Sequence, residues 1–289
     1  MDASEILKKV RKIEIKTKGL SKHIFSGEYH SAFKGTGMSF SEVRNYNYGD
    51  DVRNIDWNVT ARTNEPHIKV FEEDRELTVM LMIDISQSSA FGSIKQFKSE
   101  LTAELSAVIA FSAITNNDKV GAILFTDEVE KYIPPKKGKK HILRIIREII
   151  YCEPESQGTD LETAFIYLNN IQKKKAIVFV LSDFMTQGYE SSLSIASKRH
   201  DIIGLHIYDP LEKSLPNIGL IQTIDAETGQ KVILDTTSSS VRNKYNDWFQ
   251  VNYEYYNRLF NKFRADHLSI STGDDYVKLL LQFFKKRTG

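Results

Sequence analysis

Val79-Met80-Leu81-Met82-Ile83-Asp84-Ile85-Ser86-Gln87-Ser88 is the stretch on which the reading of the chain turns. The apolar run from Val79 to Ile83 is too short for a helix and has the form of a strand buried on both faces. It stops abruptly at a carboxylate and two hydroxyls. Such a strand belongs in the middle of a parallel sheet, and open α/β sheets bind ligands in the crevice outside the carboxyl ends of their strands. Asp84, Ser86 and Ser88 therefore stand where chemistry is expected.

Downstream, buried-strand runs alternate with helical periods. Residues 97 to 115 carry Phe97, Leu101, Leu105, Val108, Ile109 and Phe111 on one side of a long helix. Residues 119 to 126 are a second buried strand, and 129 to 133 a short third one before Pro134-Pro135. Residues 141 to 151 and 161 to 171 read as helices, 175 to 181 as a strand ending at Ser182-Asp183, 190 to 199 as a helix and 201 to 207 as a strand. This alternation implies right-handed crossovers and an α/β fold with a doubly wound, mostly parallel sheet. After Asp209-Pro210 the pattern changes. Two short runs flank Asp225-Ala226-Glu227-Thr228-Gly229, the signal of a hairpin inserted near residues 217 to 236. An aromatic-rich helix over 236 to 266, a strand over 268 to 271 and a helix over 276 to 284 close the chain.

Upstream, residues 1 to 20 carry Ile6, Leu7, Val10, Ile13 and Ile15 among lysines, with Ser4 as an N-cap, and predict a short amphipathic helix. Residues 30 to 71 lose helical period and read as strands and ordered loops, with turns at Gly35-Thr36-Gly37 and Asn47-Tyr48-Gly49-Asp50. Arg44, Arg53 and Arg62 lie among Asp50, Asp51 and Asp56, a composition that invites bidentate pairing. It suits an internal salt-bridge lattice around Trp57 or, alternatively, a binding surface. The arginines argue against an acidic metal centre there. We expect residues 1 to 76 to pack as an elaboration on an α/β domain spanning 77 to 289.

The 289 residues are 41% apolar and 27% charged, with 39 Lys+Arg against 38 Asp+Glu, which describes a globular and nearly neutral chain. Its basic clusters, such as Lys136 to Lys140 and Lys173 to Lys175, are short and scattered, so no nucleic-acid surface is expected. The single Cys152 excludes an intrachain disulfide and suits a reducing compartment. No window approaches the ~18 apolar residues of a spanning helix, and no signal-peptide core begins the chain, so the expectation is a cytoplasmic protein without a membrane span.

Asp84-x-Ser86-x-Ser88, Gly158-Thr159-Asp160 and Ser182-Asp183 place oxygen groups at strand or loop ends. Two carboxylates and three hydroxyls, without His or Cys, make a hard donor set suited to Mg²⁺ or Mn²⁺ and poor for Zn²⁺. The set Asp84, Ser86, Ser88, Thr159 and Asp183 resembles the metal-ion-dependent adhesion site of von Willebrand factor type A (vWA) domains. That resemblance implies a vWA-like fold, Ser86, Ser88 and Thr159 as metal ligands, and Asp84 and Asp183 in or near the first shell. Arg44-x-Tyr46-x-x-Gly49-Asp50-Asp51-x-Arg53-x-Ile55-Asp56-Trp57, followed by Ala61-Arg62, resembles the signature of bacterial domain of unknown function 58. Asp209-Pro210-x-Glu212-x-x-Leu215-Pro216 is similar to a further part of that family's pattern. Many relatives carry membrane-spanning helices before the signature, and members resemble partners of MoxR-class AAA+ ATPases.

These readings imply a non-enzymatic, metal-dependent protein interaction module. It would work with a MoxR-class ATPase or its client, which would offer an Asp or Glu to the metal. A Mg²⁺-dependent phosphohydrolase is the alternative, although Ser86 stands where a phosphoaspartyl mechanism wants a second acid, and no convergent base is identifiable. Residues 25 to 75 are too few and too turn-rich to bury a core of their own, so expressed alone they should unfold without a cooperative transition. A cooperative melt of that fragment would refute the expectation.

Overall fold

Val79, Leu81 and Ile83 point to one side of their strand and Met80 and Met82 to the other, and all five side chains are fully buried. A strand apolar on both faces needs a helical layer on each, and the computed structural model has that architecture. It describes residue 13 and residues 37–74, 77–92, 97–156, 158–224 and 231–288. Apart from Ile13, which is helical, the helix expected over residues 1 to 20 lies outside the described residues, as does the turn at 225 to 229.

The chain divides into two compact units, one of which is Phe33–Leu77. Within it β1 (Gly37–Asn45) and β2 (His67–Asp74) pair antiparallel, and α1 (Trp57–Thr63) lies between them in sequence. The helix corrects the expectation of strands and loops alone. Asp56 caps it by accepting from the amides of Asn58 and Val59 at 3.0 and 3.3 Å, and Asn64 ends it with a left-handed φ of 59°. The arginine–aspartate pairs form, but locally. Arg44 grips Asp50 with two bonds of 2.8 and 2.9 Å, and Arg53 grips Asp51 two residues away. Trp57, expected at the centre of the lattice, is 69% exposed.

The second unit holds the six-stranded sheet. Its strands are β3 (Thr78–Asp84), β4 (Lys119–Phe125), β5 (Val129–Lys136), β6 (Ile177–Ser182), β7 (Asp201–Tyr208) and β10 (Asp266–Ser271). They lie in the order β10-β7-β6-β3-β4-β5, all parallel except β5. The reversed strand carries Pro134 and Pro135 at the edge of the sheet, where a residue without an amide proton costs no ladder bond. From β3 the chain winds one way through β4 to β5, then returns to start β6 on the other side of β3. That reversal makes the β3/β6 border the topological switch point, where a doubly wound sheet opens a crevice.

Helices α4 (Leu161–Ile171), α5 (Glu190–Arg199) and α7 (Ser239–Lys262) cover the face presented by Met80, Met82, Val178 and Val180. Helices α2 (Lys98–Thr115), α3 (Lys139–Tyr151) and α8 (Tyr276–Thr288) pack on the sheet as well, α2 against β3, β4 and β7. The short α6 (Pro210–Lys213) follows β7, and the expected hairpin forms from β8 (Leu220–Ile224) and β9 (Lys231–Asp235). Helix α7 is shorter than the pattern suggested, because Arg264 turns into the left-handed region at φ 55° and releases the chain into β10. No helix of the described residues is long and apolar enough to cross a membrane.

Close packing of α7 on β7 depends on Gly204, where a Cβ would come within 2.5 Å of the Phe260 ring and 2.9 Å of the Tyr256 hydroxyl. Two residues on, His206 stacks on Tyr208 at 5.1 Å and meets Tyr256 and Tyr253. Its Nδ1 lies 3.2 Å from Ser269 Oγ, while its buried Nε2 finds no partner among the described residues. Burial lowers its pKa to about 3, so the imidazole is neutral in the fold and titrates near 6.5 once unfolded. The unfolded state then takes up the proton first, and stability is lost as pH falls below about 6.5. The loss should reach on the order of 4 kcal/mol by the acid end of that window. Urea midpoints between pH 7 and 4 should fall steeply in the wild type and less steeply in His206→Phe. Equal slopes would mean that His206 is not the group responsible.

Candidate functional site

Asp84 ends β3, and the chain beyond it is folded back by its own carboxylate. The Ser86 amide donates to Asp84 Oδ1 at 3.0 Å, and a single 3₁₀ turn over Gln87–Ala90 follows. Ser89 Oγ donates to the Asp84 carbonyl at 3.1 Å, and the Ile85 amide donates to the Phe125 carbonyl of β4 at 3.0 Å. The loop is thereby pinned to the sheet, and it brings Ser86 Oγ and Ser88 Oγ to 3.1 Å from each other.

Across the switch point, β6 supplies two residues. Ser182 Oγ donates to Asp84 Oδ2 at 2.6 Å, which leaves both carboxylate oxygens of Asp84 hydrogen-bonded. Asp183 follows, aimed by a backbone turn at Phe184, whose φ of 52° is unusual for a bulky side chain. Burial of the Phe184 ring against Tyr256, 4.3 Å away, and Phe260 holds that conformation in place. The Ser182 hydroxyl also receives the Phe184 amide, at 3.1 Å. Ser182 was legible as a hydroxyl at a strand end, but its bond to Asp84 depends on two strands 98 residues apart.

Lys98 is the residue that sequence reasoning missed. It opens α2, where a cation stands against the helix dipole, and its side chain is only 3% exposed. Its ammonium donates to Asp183 Oδ2 at 2.9 Å and to Glu212 Oε1 at 2.6 Å. Glu212 in turn closes a capping box on α6, accepting the Asp209 amide at 2.9 Å with its other oxygen. The unfavourable position of a lysine on the first turn was the available signal.

Thr159 comes from a separate loop. It is half-buried in the loop before α4, which is tied to β4 by the Asp160 amide donating to the Thr126 carbonyl at 2.9 Å. Glu130 secures the same loop by accepting the amides of Glu155 and Ser156 at 3.0 and 3.2 Å. Thus Thr159 stands beside the strand next to β3, but no hydrogen bond among the described residues joins it to Asp84, Ser86, Ser88 or Asp183.

The electrostatics favour a cation. Burial, and then the neighbouring Asp183 carboxylate, push the Asp84 pKa up to about 6. Burial would raise Asp183 as well, but Lys98 outweighs it and holds that carboxyl below its ordinary range. Burial also raises Glu212 against the pull of Lys98. With every group ionised, three carboxylates face one ammonium, an excess of two buried negative charges. A small cavity of about 10 Å³, lined by Asp84, Ser89, Lys98, Ser182 and Asp183 among others, has room for one water-sized body. Ser86 and Ser88 do not line this cavity, so it is the hard oxygen donors and the negative excess that suit a small divalent cation. Asp84, Ser86, Ser88 and Asp183 would hold it.

The family model described as protein of unknown function DUF58 matches residues 42–254. The chain belongs to the DUF58 family. That match takes in both the Arg44 to Trp57 signature and the strands that build the cluster at Asp84. Among DUF58 chain relatives, the uncharacterized protein Rv1480 of Mycobacterium tuberculosis is 28% identical over 232 residues, covering 79% of this chain and 73% of its own. The uncharacterized protein YeaD of Bacillus subtilis is 31% identical over 116 residues, 39% of this chain and 27% of its own. Similar solved structures include an aerotolerance-related membrane protein from Bacteroides fragilis, with TM-score 0.48, 15% identity and coverage of 73% of this chain and 99% of that one. The SpRpn10 VWA domain is similar with TM-score 0.38 and 14% identity, over 73% of this chain and 95% of that one.

Lys98→Met should be strongly destabilising, because it strands Asp183 and Glu212 as buried charges without a counter-ion. Breaking such a pair costs about 3–5 kcal/mol, and adding Glu212→Gln should restore part of the loss. Urea unfolding of both variants checks this, and a single variant within about 1 kcal/mol of wild type would contradict it.

Proposed function

We propose that this protein is a vWA-like, metal-dependent protein interaction module whose metal site is built on Asp84, Ser86, Ser88 and Asp183, with Thr159 contributing from the β4 side. The observation that carries the reading is the set of buried carboxylates Asp84, Asp183 and Glu212 around the switch point, which outnumber the Lys98 ammonium by two when all are ionised. When bound, Mg²⁺ or Mn²⁺ supplies a hard positive centre that attracts carboxylates. The serine hydroxyls present neutral oxygen, so that charge is not fully cancelled, and Ser182 fixes the orientation of Asp84. A partner's Asp or Glu is the complementary group.

Exposed apolar side chains border the loop: Phe91 is 44% and Phe97 51% exposed, and the Lys98 amide donates to the Phe91 carbonyl at 2.8 Å. They suit an acidic side chain flanked by apolar neighbours. The partner class follows from the family resemblance, a MoxR-class AAA+ ATPase or its client, and the setting we propose is cytoplasmic. The role we propose is binding and not catalysis, a reading supported by the burial of His206, the imidazole that feels the Asp183 charge, among aromatic rings.

Calorimetric titration should show weak Mn²⁺ binding to the wild type that is lost in Asp84→Ala and in Ser86→Ala. Interferometry with a candidate ATPase should show affinity that falls at least tenfold in EDTA, and the coupling must be reciprocal. Equal Mn²⁺ affinity in wild type and Asp84→Ala would remove the site. Metal-independent partner binding would remove it from the function.

A further inference from the structure

We propose that the Lys98 ammonium is a tethered competitor for the metal site, holding Asp183 in the metal-free state and yielding it by withdrawing to Glu212. This inference rests on the metal-site reading above and adds a residue that sets its affinity.

The ammonium is shared between two carboxylates, each held at both oxygens. On Glu212 one oxygen takes Lys98 at the shorter distance of 2.6 Å and the other takes the Asp209 amide at 2.9 Å. Asp183 gives Lys98 its Oδ2 at 2.9 Å, and its Oδ1 takes the Met185 amide at a longer 3.2 Å. An ammonium is a compact charge with three donors on a flexible stem, so it can release one acceptor and keep the other. Releasing Asp183 costs one charged bond, while the ion pair with Glu212 keeps the lysine from being buried alone.

The placement of Lys98 supports a role in charge and not in packing. A lysine at the first position of a helix opposes the dipole, and the same location for an acid or a neutral residue would stabilise α2. The side chain is nonetheless buried at the border of β6 and β7, lining the small cavity with Asp84 and Asp183. It brings one positive charge onto Asp183, one of the carboxylates that would hold a divalent cation. Glu212 compensates that charge, so the net excess of two negative charges equals that of Asp84 and Asp183 alone. Lysine and glutamate together therefore leave the net charge of the site unchanged while blocking one of its carboxylates.

This cancellation supplies the test. Lys98→Gln with Glu212→Gln preserves the net charge of the site but removes the competitor. Isothermal titration with MnCl₂ should show at least tenfold tighter binding than wild type, with circular dichroism confirming the fold. Equal or weaker binding overturns the proposal, since an unchanged affinity means that only net charge matters, and a weaker one means that Lys98 positions Asp183 for the metal. If the double variant does not fold, Lys98→Arg decides: it keeps the charge and both partners, but its fork grips Asp183 more firmly, so Mn²⁺ should bind at least tenfold more weakly. Unchanged or tighter binding by that variant also overturns the proposal. Absence of Mn²⁺ binding in wild type and double variant alike refutes the metal site itself, whereas binding in the wild type without a gain in the double variant refutes only the exchange.

Discussion

Two carboxylates held in a low-dielectric crevice constrain everything around them. Asp84 and Asp183 come from strands that are neighbours in the sheet and 99 positions apart in the chain, and both are less than a tenth exposed. Like charges buried side by side repel, so the fold supplies compensation from each direction open to it. Ser86 and Ser182 donate to Asp84, and Lys98 and Met185 donate to Asp183. The compensation is incomplete, and that residue of negative charge is the basis of the metal reading.

The sheet order explains why the carboxylates meet. A doubly wound sheet has one border where successive crossovers leave in opposite directions, and no loop covers it. Here that border is β3/β6, where β3 ends in Asp84 and Asp183 directly follows β6. The strain at Phe184 belongs to the same arrangement. A left-handed turn at a phenylalanine persists because its ring is locked into the aromatic cluster beneath α7, so packing on one face of the sheet orients a carboxylate at its end.

Lys98 and Glu212 link this site to the segment that follows β7. Glu212 belongs to α6, which Asp209 caps and which leads into the β8–β9 hairpin. The carboxylate of Asp209 is itself fully buried and receives Thr272 Oγ1 at 2.7 Å, which ties α6 to the end of β10. The ends of four strands, β3, β6, β7 and β10, are thus joined by polar contacts around one ammonium. A change in the partners of Lys98 would be felt across that edge of the sheet.

Much of this was legible in the amino-acid sequence, because buried parallel strands announce themselves as short apolar runs and each run here ends in a polar residue. The α/β class, the hairpin, helices 161–171 and 190–199 and the oxygen set at Asp84, Ser86, Ser88 and Asp183 all follow from local pattern. The helix at Trp57 and the exposure of that ring did not, since a capped helix of seven residues amid arginines and aspartates has no apolar period to reveal it. Ion-pair partners were equally out of reach where they are distant: Lys98 lies 85 residues from Asp183 and 114 from Glu212. Sequence determined which strands carry acids at their ends. Only the tertiary structure decided which acids share a crevice and which lysine answers them, because electrostatic energy depends on distance in space and on the dielectric of the site, and neither is a property of the chain in order.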